Sequence, residues 1–311
     1  MRAVTFSEFG GPEVLEVKDL PEPQPGPGQV RIRVAAATVN PTDMGFRSGG
    51  QRAALGDLQP PYIPGMELAG VVDAAGDGAA WQPGDRVMAI VQPRRKEGGA
   101  MAESVIVPAA SVASVPDGAS LEEAATLPMN GLTVRLALDL LALKAGHTLV
   151  VTGAAGAVGG YAVELGVHEG LRVIAVASAS DEALLKKMGA ETVVPRGDDA
   201  ASRIRELVPE GVDGVIDAAL LGTSILPAIR DGGGMAVVRG FQGETERDIA
   251  IHPVQVSRYV ENQTALAGLG DLVAQGKLTL RVAGTFPPER TSEAHEKLAA
   301  GGVRGRLVVV F

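Results

Sequence analysis

The 311-residue sequence contains no cysteine. That absence removes disulfides, thiolate nucleophiles and cysteine-ligated metals from consideration. Aromatic residues make up only 3% of the chain, so its cores must be packed mainly with valine, leucine and alanine. Basic charge is also short: 28 lysines and arginines face 37 aspartates and glutamates, a formal net charge of −9. Binding to phosphate backbones needs a basic face, so nucleic acid is excluded as the main partner. No stretch approaches 18 apolar residues, and no membrane span is expected. The opening MRAVTFSEFG lacks the apolar run of a signal peptide, so a cytoplasmic protein is the expectation.

Turn chemistry, by contrast, is abundant. The chain carries 41 glycines and 20 prolines, which implies many short strands and tight loops. A composition 46% hydrophobic and 21% charged fits a folded globular protein.

From 1 to about 120 the pattern is strand-like. QVRIRVAAATV (29–39) alternates polar and β-branched residues at its start, as a half-buried strand does. ELAGVVDAAG and DRVMAIV read as further short strands, and PEPQPGPG (21–28) as loop. Near 120 the style changes. In SLEE, Ser120 serves as N-cap with Glu123 as its capping-box partner, opening a short helix that ends before Pro128. A second helix, about 131–143, carries Leu132, Leu136, Leu140 and Leu143 at helical spacing.

Strand and helix then alternate: HTLVVT, a helix over 157–169, RVIAVA, DEALLKKMG, ETVV, and, after a charged stretch, GVIDAA, a helical segment 223–230, and GMAVVRG. Such alternation implies right-handed crossovers and a parallel sheet. The last part, LTLRVAGTFPPE, SEAHEKLAAG and GRLVVVF, reads as strand, helix and strand returning to the first domain. The expected fold is α/β, with 121–255 a doubly wound dinucleotide-binding domain and 1–120 plus 256–311 a β-rich substrate domain.

The stretch VVTGAAGAVGG (150–160) sits where a phosphate-binding turn belongs, between an apolar strand and a helix. It reads Ala154-x-Gly156-x-x-Gly159 against the dinucleotide fingerprint, with an extra glycine at 153. Gly156 lets backbone approach a pyrophosphate, and Gly159 lets helix and strand pack. The N–H groups of Ala157 and Val158 open the helix toward the phosphates. A short-chain dehydrogenase turn would need glycine at Ala157, and no Tyr-x-x-x-Lys pair exists: Tyr161 is followed four on by Leu165, and Tyr259 by Gln263. The second strand runs into ASAS, with Ala177 and Ser178 where an acid would bind a ribose 2′-hydroxyl. A hydroxyl there donates to a 2′-phosphate, so NADPH is the expected cofactor. Asp181 stands nearby, in a first helical turn from which its side chain is expected to swing to solvent.

Taken in order, NPTD (40–43), PGMELAGVV (64–72), AAGAVG and FPPERTSEAHEKLAAGGVRGRLVVVF make the whole chain resemble a medium-chain dehydrogenase/reductase. The resemblance is to the zinc-independent quinone oxidoreductase (zeta-crystallin-like) group. It implies a GroES-like domain beside a Rossmann domain, and hydride delivery from NADPH to a quinone or α,β-unsaturated carbonyl. The family's zinc ligands are replaced by Asn40 and Met66, so no metal is expected. Glu67 reads first as a hydrogen-bonded structural carboxylate and second as a base.

The resemblance places Asn40 and Thr133 near nicotinamide and substrate; Asn130 either joins them or caps the helix after Pro128. Gly45 stands where relatives often have a tyrosine, which points to protonation from water. Arg196 stands where relatives have a tyrosine beside the 2′-phosphate, and is either a phosphate clamp or a solvated loop arginine. Gly240 and Phe241, in GFQG, are expected to pass the nicotinamide through their backbone. PRRKEGG (93–99) reads as a solvated basic loop, with recognition of an acidic substrate as the other reading. An enoyl-thioester reductase and a low-turnover NADPH-binding structural or redox-sensing protein remain as alternatives. Relatives pair their sheet edges, so a homodimer is expected, joined through GGMAVVRG (233–240) as the last strand.

Overall fold

The computed structural model describes residues 1–311. The chain forms two compact units, one of Met1–Met129, Ser257–Gln275 and Leu280–Phe311, the other of Asn130–Val256 and Gly276–Thr279.

The first unit begins with an antiparallel ribbon, β1 (Arg2–Thr5) on β2 (Glu16–Asp19). The long strand β3 (Gln29–Thr38) follows, burying Val30, Ile32 and Val34 while Arg33 stays exposed, as its alternation requires. Helix α1 (Pro41–Arg47) comes next, then β4 (Glu67–Ala75), β5 (Arg86–Ile90), β6 (Ser104–Pro108) and β7 (Val112–Ser114). β3 pairs antiparallel with both β4 and β6, and β5 pairs with β4 and β7. The short helix α2 (Leu121–Ala124) opens on the expected capping box: the Ser120 hydroxyl accepts from Glu123 N at 3.1 Å, and the Glu123 carboxylate from Ser120 N at 2.9 Å.

Helix α3 (Pro128–Leu141) starts at its proline, which fits the first turn because it needs no donor there. Asn130 therefore lies inside the first turn and does not cap the helix. Beyond it the second unit alternates as expected: β8 (Thr148–Thr152), α4 (Ala157–His168), β9 (Arg172–Ala177), α5 (Glu182–Lys187), β10 (Thr192–Pro195), α6 (Ala200–Leu207), β11 (Val212–Asp217), β12 (Ile229–Val237) and β13 (Ala250–Pro253). The six strands form one all-parallel sheet in the order β10-β9-β8-β11-β12-β13.

Three features depart from the sequence reading. The segment 223–230 is a 3₁₀ turn over Gly222–Ala228 that runs straight into β12. The charged stretch holds helix α6, a short helix that buries Ala200, Ala201 and Ile204. GGMAVVRG does not end the sheet, because β13 pairs outside it. That strand, AIHP, is four residues long and ends in proline, so it lacks the usual strand signature.

The chain then passes through α7 (Gln263–Ala274), another helix absent from the sequence reading. Asn262 caps it by accepting from Ala265 N at 3.0 Å, while Gly268 and Gly270 dilute its helical propensity. The last elements, β14 (Val282–Phe286), α8 (Thr291–Ala300) and β15 (Arg306–Val310), complete the first unit's sheet, with β15 antiparallel to β3. Val30, Ile32, Leu68, Val87, Val105 and Leu307 lie in that unit's core. No helix is long and apolar enough to cross a membrane.

Candidate active site

In the second unit β8, buried throughout, stops at Thr152, and the chain turns through Gly153 at φ +59° into α4. Gly156 is the N-cap and brings no side-chain acceptor, so the first N–H groups of α4 face outward without a cap from the chain. The glycines do different work. A Cβ on Gly159 would collide with the Gly153 carbonyl oxygen and the Ala154 backbone, so only glycine lets helix and turn close. A Cβ on Gly156 would meet only the Gly153 carbonyl oxygen, at 3.2 Å. Gly156, Ala157 and Val158 are half-buried, whereas Ala154 and Gly159 are buried. The open atoms are thus those a diphosphate would reach.

Beside this turn the sheet's C-terminal edge is held by a pair the sequence reading missed. Thr152 Oγ1 donates to Asp217 Oδ1 at 2.6 Å and accepts from Ala219 N at 2.9 Å. Asp217 also accepts from Leu221 N at 3.0 Å and Gly222 N at 2.9 Å. The carboxylate so fixes the loop after β11, which lines a cavity of about 310 Å³ with Thr223, Val237, Gly240 and Phe241.

At the end of β9, Ala177 is buried and Ser178 half-buried, with its hydroxyl 3.0 Å from that of Ser180. Arg196 N donates to Ala177 O at 2.8 Å, which brings the exposed Arg196 to the same strand ends. Asp181 does not swing to solvent: it is only 7% exposed, at the close of a 3₁₀ turn over Ala179–Asp181. Because that turn leads directly into α5, the side chain is packed as the helix is entered.

Around Glu67, in the first unit, buried polar groups hydrogen-bond one another. Glu67, fully buried at the start of β4, has its Oε1 within 2.5 Å of both Thr38 Oγ1 and Arg306 Nη2. Asn40 Nδ2 reaches the same oxygen at 3.4 Å, and Oε2 accepts from Met129 N at 2.7 Å. Arg306, 4% exposed, also donates to Thr38 Oγ1 at 2.6 Å. Both oxygens of this buried carboxylate are thus already accepting hydrogen bonds from within the chain. Asn40 Oδ1, by contrast, is buried without a partner.

Asp43 explains the rest of NPTD. Its carboxylate accepts from Asn40 N at 2.7 Å and from Gly65 N at 2.9 Å, tying α1 to the Gly65 turn. Burial pushes the Asp43 carboxyl up to about 6 against the pull of those two donors and of Arg306. Asn130 and Thr133, both buried, lie three residues apart on α3 and share a face of it; the Asn130 amide nitrogen is unpartnered.

These residues do not fit zinc. Met66 Sδ accepts from Thr42 Oγ1 at 3.0 Å, Asn40 turns its amide nitrogen toward Glu67, and Glu67 already meets a buried guanidinium. No three His, Asp or Glu side chains stand together as a ligand set.

A β-rich unit joined to a doubly wound parallel sheet, with a glycine turn opening a helix at the sheet's C-terminal edge, defines a medium-chain dehydrogenase/reductase. Residues 26–117 match the model of the alcohol dehydrogenase GroES-like domain, and residues 188–309 match that of the zinc-binding dehydrogenases. The chain is 30% identical to the human quinone oxidoreductase, over 100% of its own length and 98% of that protein's. It is 29% identical to an NADPH-dependent alkenal/one oxidoreductase of Arabidopsis thaliana, covering 99% of itself and 79% of the relative. A mycobacterial protein solved with NADPH superposes with a TM-score of 0.88 at 30% identity, covering all of both chains. The protein belongs to the quinone oxidoreductase group of that family.

Proposed function

We propose that this protein is an NADPH-dependent oxidoreductase that reduces a quinone or an α,β-unsaturated carbonyl without zinc. The observation that carries the reading is the open, glycine-lined start of α4 at the edge of a parallel sheet. The related quinone and alkenal/one oxidoreductases support it. The cofactor supplies the hydride when bound. Residues 121–255 are its binding domain; 1–120 and 256–311 are the substrate domain.

The N–H groups of Ala157 and Val158 hold the diphosphate, with Ala154, Gly156 and Gly159 shaping the turn. Ser178 and the planar, permanently charged fork of Arg196 meet the 2′-phosphate. Gly240 and Phe241 line the nicotinamide's path through their backbone. Asn40, Thr133 and Asn130 orient the ring and the acceptor, the free Asn40 carbonyl taking a hydrogen bond from one of them. Without a Lewis acid to polarise a simple ketone, the acceptor must already be electrophilic. No phenol stands at Gly45, so the product takes its proton from water. The working form is a cytoplasmic homodimer, joined through β13, the outermost strand.

Cofactor consumption with 1,4-benzoquinone, 9,10-phenanthrenequinone, 2-alkenals and crotonyl thioester tests this. Turnover of the quinones or alkenals is expected. Turnover confined to the thioester would mark an enoyl-thioester reductase, and tight NADPH binding without turnover a structural or redox-sensing protein.

A further inference from the structure

The surface of α1 that follows Asn40 is covered by a residue from elsewhere. Gly45 has no side chain, and a Cβ placed there would meet a single atom, the Gln51 amide nitrogen at 3.5 Å. That nitrogen donates to Thr42 O at 2.9 Å, which fixes the amide against α1. The Gln51 carbonyl oxygen accepts from Arg94 Nη1. Thr42 in turn holds Met66, the neighbour of Glu67, through its hydroxyl. Arg94 is thus suspended two hydrogen bonds from the helix whose N-cap is Asn40.

The arginines of the 93–99 loop are not alike. Arg95 is spent on backbone, donating to Gly98 O at 2.9 Å and Ile106 O at 2.6 Å. Arg94 is half-buried and meets a neutral amide but no carboxylate. Arg31, also half-buried, is by contrast paired with Asp73 and Glu22. A guanidinium has five N–H donors in a planar fork, and Arg94 uses one of them within the chain. Partial desolvation of an unpaired cation is unfavourable until an anion meets it.

We infer that Arg94, braced by Gln51, forms a subsite for a carboxylate carried by the substrate. The preferred acceptor is then an α,β-unsaturated carbonyl compound, or a quinone, that bears an acidic group. This inference rests on the reductase reading above and narrows its substrate class. The same fork would receive a phosphate of a thioester carrier, and the experiment separates the two sources.

The test compares kcat/KM with NADPH for 4-oxo-2-pentenoate and its methyl ester, and for crotonyl-coenzyme A and crotonyl-N-acetylcysteamine, in wild type, Arg94→Lys and Arg94→Gln. The ratio of pentenoate to ester should fall about ten- to hundredfold in Arg94→Gln and much less in Arg94→Lys. A fall confined to the coenzyme A pair assigns the subsite to phosphate. Ratios unmoved by Arg94→Gln, in a variant with the wild-type circular dichroism spectrum, overturn the inference. Should no pair be turned over, the reductase reading fails separately. Calorimetric binding of levulinate, the saturated analogue, then decides: loss in Arg94→Gln supports the subsite, and equal binding in both proteins refutes it.

Discussion

The polar residues around Glu67 and those at the ends of β9 and β10 are built in opposite ways. Around Glu67 a carboxylate, a guanidinium, a hydroxyl and a helix N–H are buried together and hydrogen-bond one another, with Arg306 Nε left over. At the strand ends Arg196 is exposed, the half-buried Ser178 points its hydroxyl at that of Ser180, and α4 begins without a side-chain cap. The first arrangement resists change because every partner removed strands another. The second leaves room for an anion from outside. Burial and internal hydrogen bonding, more than residue type, therefore separate Glu67 from the groups proposed to meet the cofactor.

That contrast can be broken most severely at Arg306. Arg306→Met leaves the Glu67 charge buried without its cation, and should cost about 3–5 kcal/mol in denaturant melts. Adding Glu67→Gln should recover much of the loss. A single-variant loss below about 1 kcal/mol would show that the cluster is not the closed unit described.

A second test uses acid. His295 is fully buried with both ring nitrogens unpartnered, and burial, aided by the nearby Arg47 charge, holds its pKa down to about 4. The unfolded chain, titrating near 6.5, takes the proton first, so His295 lowers stability as pH falls from about 6.5 to 4. Asp43 acts with the reverse sign: its carboxyl, raised to about 6 when folded, takes its proton before the unfolded chain does and adds stability over nearly the same range. The two oppose each other in the wild type. His295→Leu removes one, so its stability relative to wild type should improve by on the order of 2 kcal/mol between pH 6.5 and 4.5. A constant difference across that range would contradict the assignment.

The turn itself can be divided. Gly159→Ala forces the Gly153 carbonyl to move and should cost about 1–3 kcal/mol of stability. Gly156→Ala, with φ at −70° and one close neighbour, should leave melting nearly unaltered while weakening NADPH binding. Equal stability losses in both would erase the distinction between packing glycine and phosphate glycine.

How far the sequence could be read follows the same division. The β8–α4 turn is legible because backbone approach demands small residues at fixed spacing, and Gly159 shows that demand directly. Asn40 and Glu67 stand out in short motifs, but Arg306 does not: it opens an apolar strand 239 residues from its carboxylate, and no local pattern marks it. Asp217 is hidden likewise, as the last residue of an ordinary buried strand. β13 and α7 escape because proline, histidine and glycine blur their periods, and tertiary pairing forms them regardless. Whether Asp181 lies buried or in solvent depends on how a 3₁₀ turn enters α5, which side-chain pattern does not specify.

The central claim is that the open strand ends receive the 2′-phosphate of NADPH. It is tested most directly by kcat/KM for NADPH and NADH with one quinone acceptor, in wild type, Arg196→Ala and Asp181→Asn. The account predicts a wild-type preference for NADPH, a ratio about 10- to 100-fold lower in Arg196→Ala, and a ratio up to about tenfold higher in Asp181→Asn. Equal values for the two cofactors in the wild type would contradict it.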